Sequence, residues 1–207
     1  PEAYSAEGSP VSDLTPTRSL LIALADERRT MREGYAFLDE KCLLLAGEML
    51  RQLRVHQDLA RDLAVLQREA SSALAAALAR HGLQGLQVYP PAAPTERIRI
   101  ESRPLLGVIT LHAKVTGEHA TAPAAVYPSP EAEACRLAYR RLADTLVALA
   151  ATSTTLARLL AEYRRTVRRV RALQDVLLPE LDADIADIDT RLEDLERDDA
   201  IAVRFRR

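Results

Sequence analysis

Met31, Tyr35, Leu38, Cys42, Leu45, Met49, Gln52, His56, Leu59, Leu63, Leu66, Ala70, Ala73 and Ala77 follow one another at alternating steps of four and three. That spacing leaves few folds open. On an α-helix it draws one stripe along a single side, the seam of a coiled coil. Thr15 and Pro16 offer a helix start, a capping hydroxyl followed by a residue whose fixed φ and missing N–H suit the first turn. No further proline occurs before Pro90. At 1.5 Å per residue, about 65 helical residues extend on the order of 100 Å, several times an ordinary globular helix. His81-Gly82 and Gly85 stop it, since glycine takes the left-handed conformation that closes helix ends.

The period then changes. Arg97-Ile98-Arg99-Ile100-Glu101 alternates with period two, and Val108 to Val115 is rich in β-branched residues, so a small hairpin is expected. Ser102 to Gly107 reads as its link and Thr116 to Pro130 as an irregular connector. From Ser129 or Pro130 a second long helix begins, with Glu131 and Glu133 at its positive end. Its seam reads through Cys135, Tyr139, Leu142, Leu146, Leu149, Leu156, Leu160, Tyr163, Val167, Val170, Gln174, Leu177 and Leu181, and resumes at Ile185, Ile188, Leu192 and Leu195. Consecutive four-residue steps around Leu181 are a stutter, and Pro179 beside them predicts a kink.

The expected fold class is mostly α: a long antiparallel two-helix coiled coil with a small β-hairpin-containing insert at the end distal to the termini. The chain divides into a loose leader over 1–14, a first helix over 15–81, the insert and connector over 82–129, a second helix over 130–200 and a tail over 201–207. Folding back in this way pairs residues whose numbers sum to roughly 210, which sets Cys42 and Cys135 on the order of 50 Å apart. The composition agrees: aromatic residues make up 4% of the chain and Trp is absent, so Leu, Ala and Val must fill a thin core.

The chain carries 28 Lys and Arg against 30 Asp and Glu, a balance that argues against a dedicated nucleic-acid or anionic-membrane binder. No apolar run approaches the roughly 20 residues of a membrane span, and the N-terminus has no apolar signal core. Two cysteines without CxxC spacing suggest neither a disulfide scaffold nor a zinc motif. Phosphate-cradling, zinc-hydrolase and nucleophile-elbow patterns are missing, and His56, His81, His112 and His119 are scattered. No catalytic, cofactor or metal residue is expected. Local charge is uneven: Arg158, Arg164, Arg165, Arg168, Arg169 and Arg171 face only Glu162, whereas nine acids occupy the stretch from Asp182 to Asp199. The arginines suit nucleic acid, solvent or an acidic protein surface, with nucleic acid weakest because no aromatics interleave. The acids read as a solvated face.

Three blocks carry a family resemblance. Leu14-Thr15-Pro16-Thr17-Arg18 with Leu20, Leu21 and Leu24 precedes Gly34-Tyr35, Leu38 and Glu40-Lys41; Arg168-Arg169-Val170-Arg171-Ala172-Leu173-Gln174-Asp175-Val176-Leu177-Leu178-Pro179 follows far downstream; Leu192 to Asp199 closes the series. In content and order these blocks resemble the D subunit of V-type and archaeal-type rotary ATPases, with Arg171 standing where the family has Asn and Gln174 where it has Glu. The resemblance implies a non-catalytic central axle. Its termini enter the ring of nucleotide-binding A and B subunits, and its insert-bearing end meets the small F subunit and the socket of the membrane rotor. It implies a peripheral place on the cytoplasmic side of a membrane, with no cofactor, no nucleic acid and no membrane insertion. Arg164, Arg165, Arg168, Arg169 and Arg171 are the candidate ring contacts and Pro179 the kink. The competing reading is a freestanding coiled-coil scaffold or adaptor, for which the seam is equally good evidence.

Overall fold

The computed structural model describes residues 15–89, 97–116, 125 and 127–205. The leader, the prolines of 90–96, most of the connector with His119, and the last two residues lie outside the described residues. Helix α1 (Arg18–Gln87) is followed by strands β1 (Arg97–Leu105) and β2 (Val108–Thr116), helix α2 (Pro130–Ala172), a π-helical turn at Leu173–Leu177 and helix α3 (Leu178–Phe205). Contacts divide the chain into two units, one joining Pro1–Leu43 to Arg164–Arg207 and the other comprising Leu44–Tyr163.

Helix α1 starts two residues later than its proline suggested. Thr17, not Thr15, is the cap: its Oγ1 accepts the Leu20 N–H at 3.2 Å, satisfying one orphan donor of the first turn, and its carbonyl accepts the Leu21 N–H at 3.1 Å as the first regular helical bond. The chain leaves helical geometry at Gly82 (φ 64°, ψ 170°), a conformation open to a residue without Cβ, and then makes one more short helical stretch to Gln87. Every seam position from Met31 to Ala77 is buried or half-buried.

In the first unit Leu24, Leu181 and Ile188 are buried together, with Leu20, Leu21, Met31, Ile185 and Leu192 packed around them. Arg28 donates to Asp182 at 3.1 Å, Arg32 reaches the same carboxylate at 3.6 Å, and Arg18 pairs with Glu196. Contacts that step forward along α1 step backward along α3, so the two run antiparallel. The half-exposed pairs to Asp182 contribute up to about 1 kcal/mol each; the apolar cluster holds the helices and the pairs fix their alignment.

In the second unit the same antiparallel correspondence appears between α1 and α2. His56 Nε2 lies 3.1 Å from Ser153 Oγ and His81 Nε2 lies 2.6 Å from Ser129 Oγ. Ser129 is also the N-cap of α2, its Oγ accepting the Ala132 N–H at 3.2 Å, with Pro130 as first helical residue. The buried line of α2 meets the row that periodicity picks out at Val170 and otherwise runs one residue before it. Thr152, Thr155, Leu159, Thr166 and Val170 are buried, whereas Leu156, Leu160, Tyr163 and Val167 are half-buried and Tyr139 and Leu146 exposed. The contact line is displaced by one residue because threonine is small and can satisfy its own hydroxyl, as Thr152 does on the Ala148 carbonyl at 2.9 Å.

The hairpin's strands run further toward the turn than the sequence suggested, taking in Ser102 to Leu105. The turn is only Leu106-Gly107, with φ of 51° and 84°, the double positive φ of a type I′ hairpin. A leucine at positive φ is strained, and its side chain compensates by packing on the cluster of Leu45, Val108 and Leu159. Two-residue turns make Leu105↔Val108 a hydrogen-bonded pair, so Pro104↔Ile109 is the non-bonded pair that follows, and the missing proline N–H falls on the outer edge. The insert enters the chain at the far end of this unit's helix pair, and its hairpin lies back along the helices.

Helix α2 covers the turn-proximal part of the free edge of β2. Thr155 Oγ1 accepts the Leu111 N–H at 2.9 Å and lies 3.3 Å from the Leu111 carbonyl, while Arg158 donates to the Ile109 carbonyl at 3.0 Å. On the α1 side, Arg51 grips Glu48 through Nε at 2.8 Å and Nη2 at 2.6 Å, and the buried Gln52 donates to Glu48 at 2.9 Å.

Thr155→Val keeps the shape and removes both bonds to Leu111. We expect a loss of about 1–2 kcal/mol in denaturant unfolding and faster amide exchange at Leu111, with helical circular dichroism unchanged. Glu48 is held below the usual carboxylate range, first by the Arg51 hydrogen bonds, with burial opposing. A depressed folded pKa contributes stability that is present above the unfolded value and lost as pH falls through the folded one. Glu48→Gln should therefore lower stability at neutral pH and flatten its fall in acid, as urea titrations at several pH values would report.

Candidate functional site

The five arginines singled out by sequence lie together on α2 within the first unit. Arg164, Arg165, Arg168, Arg169 and Arg171 are all exposed or half-buried, while Thr166 and Val170 between them are buried. At about 100° per residue, the arginines cover an arc of roughly 160° centred opposite the buried line. The helix thus presents a basic outer face over two turns. Arg169 and Arg171 occupy the last turn of α2, where positive charge suits the helix dipole.

Immediately after this face the helix widens. Leu173–Leu177 form a π-helical turn, with the Leu178 N–H bonded to the Leu173 carbonyl five residues back. Pro179 explains it: an α-helical Pro179 would lack the N–H for the Asp175 carbonyl and its ring would press on that group, and the wider turn removes the conflict. A π turn holds one extra residue, so it shifts the phase of everything beyond it. Gln174 and Leu177, expected on the seam, are exposed, and the apolar line resumes with Leu181 and Ile188. The sequence leads to the expectation of a kink at Pro179; the structure has a π turn at Leu173–Leu177 just before it.

The acidic stretch of α3 does more than face solvent. Asp182 serves Arg28 and Arg32, Glu196 serves Arg18, and Asp187 and Asp194 pair within α3 with Arg191 at 3.0 Å and Arg197 at 3.1 Å. The cross-helix partners were open to detection, since the antiparallel correspondence sets Arg28 opposite Asp182. The remaining reactive residue types are occupied structurally. Cys42 and Cys135 are free thiols; burial, assisted by Asp39, pushes the Cys42 thiol up, and burial alone does the same for Cys135, so neither is an activated nucleophile. Three of the histidines are described: His56 and His81 make the helix-to-helix bonds above, and His112 bears on Glu48. Among the described residues no three His, Cys, Asp or Glu side chains converge on a metal position.

Comparison with known proteins gives one family. The model of the family described as the ATP synthase D subunit matches residues 20–205. A V-type ATP synthase D subunit of Thermus thermophilus is 30% identical over 204 residues, covering 94% of this chain and 87% of that protein. The V-type ATP synthase D subunit of Thermotoga neapolitana is 25% identical, covering 92% and 95%, and an A-type ATP synthase D subunit of Methanoregula boonei is 27% identical, covering 93% and 94%.

Pro179→Ala restores the missing N–H and removes the ring. Because Leu181 and Ile188 packed on Leu24 fix the phase of α3, we expect the π turn and its Leu178-to-Leu173 bond to persist in backbone chemical shifts, with a stability gain well below the ~3 kcal/mol of an interior helical proline.

Proposed function

The chain belongs to the family of ATP synthase D subunits, and on that premise we propose that it is the non-catalytic central-stalk rotor subunit of a V/A-type complex. In this reading it transmits torque between the ring of nucleotide-binding A and B subunits and the ion-translocating membrane rotor, in ATP synthesis or in ATP-driven proton or sodium transport. An ATP synthase subunit works inside a multi-subunit assembly; the small F subunit and the socket of the membrane rotor are the further partners proposed, at the insert-bearing end. The observation that carries the reading is the family match across nearly the whole chain. A peripheral place on the cytoplasmic side of the membrane is consistent with it: among the described residues no helix is long and apolar enough to cross a membrane.

The geometry supports a mechanical role by what it supplies. Torque needs helices that do not slip, and in each unit an apolar contact line together with side-chain bonds aligns the antiparallel pair. It also needs a surface that differs with direction, because a ligand shifts an equilibrium only through differential contacts with the two states. The basic arc of α2 gives one direction a strong positive charge. In this reading the arc meets acidic loops of whichever ring subunit it faces and favours one conformation there, leaving the others to different states.

Replacing Arg164, Arg168 and Arg171 by Glu reverses that charge on the outer face. In a complex reconstituted with A, B, F and the membrane rotor we expect coupled turnover to fall several-fold while helix content is retained. Unchanged ATP hydrolysis and ion pumping would refute the ring-contact role. Co-purification of the tagged chain from native membranes should recover A, B and F; other partners in their place would leave a coiled-coil adaptor.

A further inference from the structure

The two edges of the hairpin have different fates. Toward the turn, the outward-facing Leu111 N–H and C=O and the Ile109 C=O of β2 are met by Thr155 and Arg158. On β1 the pairing pattern turns the N–H and C=O groups of Ile98, Ile100 and Ser102 away from β2, and among the described residues none bonds to them. Every residue of β1 before Leu105 is exposed. Ile98 and Ile100 are 60% and 62% exposed, an unusual state for two β-branched side chains on one face of an edge strand. Long exposed edges of this kind are templates for another strand unless blunted, and here the proline that blunts the edge stands only near the tip, at Pro104.

Charge describes what would fit there. Arg97, Arg99 and Arg103 occupy the opposite face from the isoleucines. Arg99 sits directly across from Lys114, a like-charged pair that disfavours the sheet, and the acid beside it, Glu101, is 3.8 Å from Arg99 Nε. We propose that the β1 edge from Arg97 to Arg103 is a docking site for an extended segment of a partner protein that alternates apolar and acidic residues, added to the sheet as a third strand. Directly opposed residues share a face, so the apolar residues of that strand cover Ile98 and Ile100 while its carboxylates lie beside Arg97, Arg99 and Arg103. Main-chain bonds to Ile98, Ile100 and Ser102 supply affinity and the alternation supplies specificity. A second copy of β1 is a weaker match than an acidic strand: two-fold antiparallel pairing centred on Arg99 opposes two arginines while setting Arg97 against Glu101, on Ile100 it opposes Arg97 and Arg103 while setting Arg99 against Glu101, and on Glu101 it opposes two glutamates as well as Arg99 and Arg103. This inference concerns the hairpin alone and stands independently of the rotary reading.

The test uses the full chain and a short monomeric peptide alternating glutamate and valine, with a lysine-valine peptide as control. Residue-resolved hydrogen exchange should show Ile98, Ile100 and Ser102 slowed about tenfold at saturating glutamate peptide, while Arg99, Glu101 and Arg103, already bonded to β2, change little; tenfold corresponds to about 1.4 kcal/mol. Arg97→Glu, Arg99→Glu and Arg103→Glu together, all at exposed positions, should abolish that protection and transfer it to the lysine peptide. Ile100→Pro, which removes an outward N–H as Pro104 does, should weaken binding with the hairpin retained. Absence of protection by the glutamate peptide would overturn the proposal. So would protection of the three amides in the free chain at low concentration, which would mean that the chain covers its own edge, or protection that grows with protein concentration, which would mean that the occupant is a second copy.

Discussion

A helix that runs from Arg18 to the break at Gly82 and carries one apolar stripe is held in place by whatever covers that stripe, because helix propensity alone adds only a small term per residue and tertiary packing supplies most helical stability. Here the cover is the returning half of the same chain. Leu24 lies against Leu181 and Ile188 in one unit, and Leu45 against Leu159 in the other; each such leucine contributes about 1.5–3 kcal/mol by leaving water. Everything polar at these contacts follows from that arrangement. The Arg28–Asp182 pair and the His56–Ser153 and His81–Ser129 bonds are too exposed or too few to create the pairing, yet each is possible at one alignment only.

The hairpin depends on the same contact line. A two-stranded hairpin is marginal by itself in water, and this one includes a strained leucine and a like-charged cross-strand pair. It persists because its tip enters the Leu45–Leu159 cluster and because Thr155 and Arg158 satisfy part of one edge, at Leu111 and Ile109. Thr155 therefore has two roles: it is small enough to lie in the helix contact, and it offers a hydroxyl where β2 has unpaired backbone groups.

Phase along the helix is what links the fold to its proposed work. The arginines form a coherent face because Thr166 and Val170 turn the opposite side inward; the π turn beyond Ala172 shifts the phase, so that the acids of α3 meet arginines of α1. One proline thereby separates a basic surface from an acidic segment in which Asp182, Asp187, Asp194 and Glu196 are paired with arginines.

Local pattern was enough for much of this. The seam of α1, the break at Gly82, the start of α2 near Ser129, the alternation of the hairpin strands and the grouping of the arginines are each set by residues within a few positions of one another, and the family blocks are legible in the same way. The contact line of α2 was not, because periodicity counts leucines and cannot know that a strand will present its edge to Thr155 or that Thr152 will satisfy its hydroxyl on its own helix. The docking of the hairpin, the positive φ of Leu106 and the open edge of β1 were likewise decided by tertiary structure. Each depends on which unpaired backbone groups and which apolar surfaces come to lie beside one another, and residues as distant in sequence as Leu111 and Thr155, or Leu45 and Leu159, meet only once the chain has folded back.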